Sequence, residues 1–333
     1  MRALVCKEFG PPENMVVEEV AEPVVGDRDV LIEVKAVPVT FPDTLMLEDK
    51  YQFTATPPYT PGAEVVGVVL EIGAAVTGIT VGDRVVGRLG VTGGMAERVA
   101  CNAKGVMVLP DGAGFAESSG LLYAHGTTYY GLRYRADIQP GETLLILGAG
   151  GHLGLSAVEL GKMMGARVIA AASSEEKLDL CRKLGADETI NYSTENLKER
   201  AKELTGGDGV DVVYDVVGGD YAEQSLRAIA WGGRFLVVGF TAGIPSIPLN
   251  LTLLKSCQIV GVFFGAMMAK EPELGESIVA DLLEMTANGQ LTPHVSGRFS
   301  LEDGSQAFRA MMDRQATGKL VIEPQGGESN GND

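Results

Sequence analysis

The chain has 333 residues, of which 45% are hydrophobic and 21% charged, with a formal net charge of −17. That length and apolar content suffice for two separate cores, and acidic residues spread along the chain set its surface against phosphate backbones and anionic membranes, so neither nucleic acid nor a membrane is expected as a partner. The four cysteines, Cys6, Cys101, Cys181 and Cys257, lie far apart without a C-x-x-C pair, a pattern of reduced thiols in the cytoplasm rather than of a disulfide framework or zinc ribbon.

The chain begins on a strand-like run, Arg2-Ala3-Leu4-Val5-Cys6, and no apolar stretch approaches the roughly eighteen residues of a membrane span. Up to about residue 110 the signal is short strands, such as the partly alternating Val30–Lys35 and the buried run Val65–Leu70, punctuated by Gly and Pro. From about 143 to 263 the rhythm changes to apolar strand, amphipathic helix, apolar strand, with strands at Thr143–Leu147, Val168–Ala172, Val212–Val216, Phe235–Val238 and Ile259–Phe263. That rhythm predicts a parallel, doubly wound sheet. Helical patterns around Ser277–Asn288 and Leu301–Met312 and a strand at Lys319–Ile322 follow, and the β-rich first part is where they are expected to pack. The change of rhythm alone gives boundaries near 120 and 265. The last residues, 326–333, carry nothing apolar to bury and read as a disordered tail.

Leu144-Leu145-Ile146-Leu147 runs straight into Gly148-Ala149-Gly150-Gly151-His152-Leu153-Gly154, and a helix-forming run follows. Strand, glycine turn and helix are in the order a dinucleotide site requires: glycines let the backbone approach a pyrophosphate, and the free N–H groups at the helix start stabilise its charge. The next strand ends Ala172-Ser173-Ser174, with no carboxylate until Glu175. An acidic residue there would bind the 2′-hydroxyl of NAD; small hydroxyl residues leave room for a 2′-phosphate, with Lys177 one turn into the next helix. NADP(H) is therefore the expected cofactor, although on spacing alone Lys177 is equally an ordinary solvated lysine. His152 reads as a solvated side chain at a helix start.

These motifs, together with Pro61-Gly62-Ala63-Glu64, Gly82-Asp83-Arg84-Val85 and the closing Ala316-Thr317-Gly318-Lys319-Leu320, resemble the medium-chain dehydrogenase/reductase superfamily and, within it, the zinc-free quinone oxidoreductase, or zeta-crystallin-like, branch. The resemblance covers the chain to about residue 323. It implies an α/β architecture in which a discontinuous GroES-like β-rich catalytic domain (1–120 and 265–325) is interrupted by a Rossmann NADP-binding domain with a doubly wound parallel sheet (121–264), an active site in the cleft between them, and a homodimer. It also implies that Lys177 and Tyr192 hold the 2′-phosphate, and it brings Gly239, Thr241, Gly265 and Lys319 to the cofactor. Zinc-dependent members carry a histidine and a cysteine where this chain has Ala63 and Val39-Thr40, and the only histidines are His125, His152 and His294. A catalytic zinc needs about three such ligands, so no metal is expected. Where many relatives have asparagine, this chain has Thr40.

Hydride transfer needs an acceptor held against the nicotinamide and an environment that tolerates negative charge developing on a carbonyl. A quinone needs no dedicated acid, whereas an enone or enoyl thioester needs a proton. Tyr51 falls where related enoyl reductases place a proton-donating tyrosine, and it is the candidate donor; a rim residue that only shapes the cleft is the other reading, and the better one for Tyr59. Thr40, Asp43, Thr127, Thr128, Phe240, Phe263 and Phe264 are the expected substrate or nicotinamide contacts, with Phe263 alternatively filling the core. The function read from the sequence is thus NADPH-dependent reduction of a quinone or enone. A 2-enoyl-CoA thioester reductase is the alternative, and a non-catalytic NADPH-binding protein ranks below both.

Overall fold

A computed structural model describes residues 1–326. The tail expected to be disordered, 326–333, lies outside the described residues apart from Gly326. The chain separates into two compact units, one formed by Met1–Leu121 together with the residues from Leu283 onward, the other by Leu122–Leu282.

The first unit is mostly antiparallel. Strands β1 (Arg2–Cys6) and β2 (Met15–Glu19) form a ribbon of their own. The long β3 (Asp29–Val39) pairs with β4 (Glu64–Ile72), which pairs with β5 (Arg84–Arg88); β6 (Arg98–Asn102) lies against β3 and β7 (Val106–Val108) against β5. Val30, Ile32 and Val34 on β3 are fully buried while the residues between them are half-exposed, the period-two pattern of a strand with one face on the core. A helix, Phe41–Leu47, leaves the end of β3.

The second unit opens on a helical run through Leu121–Gly126, Thr127–Tyr129 and Tyr130–Arg135, whose first and last segments make wide i→i+5 turns. Six strands then alternate with helices: β8 (Thr143–Leu147), β9 (Arg167–Ala172), β10 (Glu188–Asn191), β11 (Val210–Asp215), β12 (Ile229–Val237) and β13 (Gln258–Gly261). All are parallel, in the order β10-β9-β8-β11-β12-β13. The strand order reverses between β8 and β11, and ligands of open α/β sheets bind outside the carboxyl ends of the strands at such a point. Every residue of β8 is buried, as in a strand with helices over both faces. The sequence rhythm does not reveal β10, because Ile190 is its one fully buried apolar residue.

The chain returns to the first unit with β14 (Val295–Phe299) and β15 (Lys319–Ile322), and β15 pairs with β3. The division between units falls within the helix Pro272–Ala287 rather than near 265. The physical reason is visible at both ends of the extra segment: Phe264 packs on Gly126 and lies 6.3 Å from the Tyr130 ring, and Asp281 accepts a hydrogen bond from the Tyr129 hydroxyl at 3.0 Å. No helix among the described residues is long and apolar enough to cross a membrane.

Candidate active site

At the carboxyl end of β8 the backbone itself makes the site. Gly148 turns with φ +69°, and a Cβ on Gly154 would lie 2.2 Å from the Gly148 carbonyl oxygen and 2.5 Å from Ala149 Cα, so only glycine lets the helix His152–Met163 start directly on the turn. Gly151 caps that helix without a side chain, which leaves the amides of its first turn and the positive end of its dipole facing out from the strand. Ala149 N donates to Ala171 O at 3.0 Å and ties the turn to β9. His152 is not the solvated residue the sequence suggests: both ring nitrogens are shielded from solvent, and its ring lies 6.1 Å from that of Tyr123.

Beyond β9 come Ser173, exposed, and Ser174, which caps the helix Glu175–Lys183 by accepting from Lys177 N at 3.5 Å. The Lys177 stem lies along the glycine turn, so close that a Cβ on Gly150 would fall 2.5 Å from Lys177 Cβ. That packing departs from the solvated-lysine reading. Glu175, the nearest carboxylate in sequence, accepts from Arg182 at 3.1 Å and from Asn191 Nδ2 at 3.2 Å. Tyr192 directly follows β10, its N–H donating to Ala172 O at 3.1 Å.

At the end of β11, buried Asp215 accepts from Val217 N at 2.7 Å and Gly218 N at 2.9 Å and so fixes the entry to the next helix; burial pushes its carboxyl above the usual range. Gly239 N donates to the Asp215 carbonyl and Thr241 N to that of Val216, so the loop after β12 is held to the loop after β11. Between Gly239 and Thr241, Phe240 is 41% exposed, and Phe263 is 47% exposed, which removes the core-filling reading for Phe263. The adjacent Gly265 is exposed, whereas Phe264 is buried and faces Gly126 rather than solvent. Thr127 is half-buried. Thr128 departs from its expected contact role: fully buried, its Oγ1 lies 2.7 Å from Ser156 Oγ and 2.8 Å from Tyr214 OH, a hydroxyl chain that joins the helix His152–Met163 to β11. Sequence reading missed this chain, Asp215, and the buried His125, whose Nε2 lies 2.9 Å from Glu159 Oε2. A lone hydroxyl, carboxylate or histidine in an apolar run is the one signal available for them, and it does not name the partner.

In the first unit, Thr40 and Asp43 form a reciprocal cap on the helix Phe41–Leu47. Asp43 is 2% exposed and accepts from Thr40 N at 2.9 Å, Thr40 Oγ1 at 2.5 Å and Gly62 N at 3.2 Å. Burial outweighs these three donors and raises its carboxyl to about 6. Its oxygens are spent on local structure, which departs from a substrate-contact role for both residues. Tyr51 is half-buried, its ring 5.9 Å from Phe53, and burial first, then the Asp43 charge, raises its phenol above the usual value. Tyr59 OH is buried, and burial with the neighbouring Cys6 raises it further. Lys319 departs from its expected place on the cofactor: fully buried, its ammonium donates to Glu117 O and Ser119 O, each at 2.7 Å, and ties β15 to that segment. No group of three or more His, Cys, Asp or Glu stands close enough to hold a metal among the described residues.

Residues 26–111 match the alcohol dehydrogenase GroES-like domain and residues 153–280 the zinc-binding dehydrogenase family. The chain is 40% identical over 325 residues to a quinone oxidoreductase-like protein 2 homolog of Nematostella vectensis, covering 96% of this chain and 88% of that protein. Among solved structures, Escherichia coli quinone oxidoreductase complexed with NADPH superposes with a TM-score of 0.89 at 27% identity, covering 97% of this chain and all (100%) of that one. A 2-haloacrylate reductase gives 0.83 at 32%, covering 98% and 100%. A GroES-like β unit with a six-stranded Rossmann sheet is the architecture of medium-chain dehydrogenases and reductases. The chain belongs to the quinone oxidoreductase branch of that superfamily.

Proposed function

We propose that the protein is a zinc-independent, NADPH-dependent oxidoreductase that reduces a quinone or another conjugated carbonyl. The observation that carries the reading is the cradle at the carboxyl ends of β8 and β9: Gly148 and Gly154, where the backbone leaves no place for a side chain, uncapped helix amides, and the Lys177 stem laid along the turn next to Ser173 and Ser174. Bound NADPH supplies the hydride. The chain supplies everything else. Amides of the first turn after Gly151 hold the pyrophosphate, Lys177, Ser173, Ser174 and Tyr192 hold the 2′-phosphate, and Glu175 is engaged by Arg182 and Asn191. The exposed rings of Phe240 and Phe263 offer flat apolar surface to a flat acceptor. Tyr51, whose raised phenol keeps its proton at neutral pH, gives that proton to an enone. Ala63 and Val39-Thr40, standing where zinc-dependent members carry a histidine and a cysteine, support chemistry without zinc. The likeness to a 2-haloacrylate reductase favours, as a second reading, a conjugated acid or enoyl thioester as acceptor.

Rates of NADPH and NADH oxidation against benzoquinone, phenanthrenequinone, an unsaturated ketone and crotonyl-CoA, with and without a chelator, test this. The expected result is quinone turnover that prefers NADPH and ignores the chelator, with Tyr51→Phe losing enone but not quinone turnover. Equal use of NADH, or no acceptor reduced, overturns it.

A further inference from the structure

Tyr192 and Tyr221 come from distant parts of the sheet. Tyr192 follows β10, and Tyr221 lies in the first turn of the helix Gly219–Ala228 that follows β11. Two strands, β9 and β8, separate β10 from β11, a distance on the order of 14 Å at about 4.8 Å per step. The two rings nevertheless meet, with centroids 4.5 Å apart and planes tilted by 45°. Both pack, partly buried, on a core that includes Leu147, Ala171 and Val217, residues at or just past the carboxyl ends of β8, β9 and β11. The pair therefore bridges the sheet edge at which the glycine turn and the Ser173-Ser174 segment stand. Backbone bonds anchor each side: Tyr192 N donates to Ala172 O, Ser193 Oγ donates to Ser173 O at 2.9 Å, and Asp215 fixes the entry of the helix that carries Tyr221.

We propose that Tyr221 is a positioning residue for cofactor choice: its ring holds that of Tyr192 beside Ser173, Ser174 and Lys177, so that discrimination between NADPH and NADH depends on an aromatic side chain at position 221. This deepens the reading above and rests on it. A half-buried tyrosine without a neighbouring ring samples several rotamers, and a phenol must be aimed to donate to a phosphate oxygen. Ring-on-ring contact narrows that sampling. NADH lacks the phosphate, so it gains nothing from the aim. The Tyr221 hydroxyl has no part in this, and phenylalanine at 221 serves equally.

Calorimetric titration of the whole protein with NADPH and with NADH, for wild type, Tyr221→Ala, Tyr221→Phe, Tyr192→Ala, the Tyr192→Ala/Tyr221→Ala pair and Lys177→Ala, decides the matter, with thermal melts to confirm folding. Tyr221→Ala is expected to weaken NADPH by about 2- to 10-fold and to leave NADH unchanged. Tyr221→Phe restores wild-type binding, and in the Tyr192→Ala background the Tyr221→Ala loss disappears. Equal loss on both dinucleotides, no loss at all, or a Tyr221→Ala effect that persists without Tyr192 overturns the proposal while the cofactor reading stands. Wild type that binds both dinucleotides equally, or Lys177→Ala that leaves the preference intact, overturns the cofactor reading and this inference with it.

Discussion

The turn after β8 and the corner after β3 both shape the start of a helix, and they do so with opposite materials. Around Gly148 and Gly154 the working parts are amides and the space left by missing side chains. Around Thr40 the working part is one buried carboxylate that gathers three donors from two segments. The first arrangement has nothing to titrate and fails when a carbon is added. The second responds to pH and fails when an oxygen is removed.

Gly154→Val is the harshest way to break that contrast. The atoms that its Cβ meets are backbone, which cannot swing aside, so the helix must lift from the turn. A loss of about 3 kcal/mol in denaturant unfolding is expected, with NADPH binding gone from calorimetry. Binding that survives would mean that backbone approach is not what builds the cradle.

Asp43→Ala comes next. It leaves the amides of Thr40 and Gly62 without their acceptor, at a cost of about 2 kcal/mol. The same carboxylate gives a sign to the pH dependence. Its folded value, about 6, is raised from an ordinary 3.8, so its contribution to stability is fully present below about pH 4 and is lost as pH rises through the folded value. Between about pH 4 and about pH 7 the wild type should therefore lose on the order of 2–3 kcal/mol relative to Asp43→Asn, which has no such titration. Urea midpoints for the two proteins across that range check it, and a constant difference would sink the burial account. Thr128→Val sharpens the comparison from within the second unit: it breaks two hydroxyl contacts and should cost about 1 kcal/mol in thermal unfolding without touching NADPH affinity.

The same contrast explains what the sequence made legible. A backbone site writes itself as glycine, because no other residue fits; hence the turn from Gly148 to Gly154, and the sheet that carries it, can be read before any coordinates. A side-chain site writes only one member of each pair. Asp43 appears in the sequence as a polar residue near a candidate cleft, and nothing nearby says that Gly62 is its partner. The resemblance puts Thr128 near the nicotinamide and Lys319 on the cofactor, and the sequence does not correct it, since burial of a hydroxyl or an ammonium is decided by segments far along the chain. Strand β10 escaped notice because a short edge strand needs little apolar sequence. The second unit's far boundary was misplaced because Phe264 and Asp281 are held by Gly126 and Tyr129, contacts that no local rhythm records.

The second unit is one unbroken stretch, Leu122–Leu282, whereas β3, in the middle of the first unit's sheet, waits for β15 near the other end of the chain. On a ribosome the parallel sheet has all its strands while the Val37–Val39 end of β3 still lacks its partner. Non-local pairings of that kind form late and leave sticky intermediates. The order of synthesis thus favours a finished parallel sheet while the β sheet of the first unit is still incomplete, and it is that β sheet that chaperones would be called on to guard.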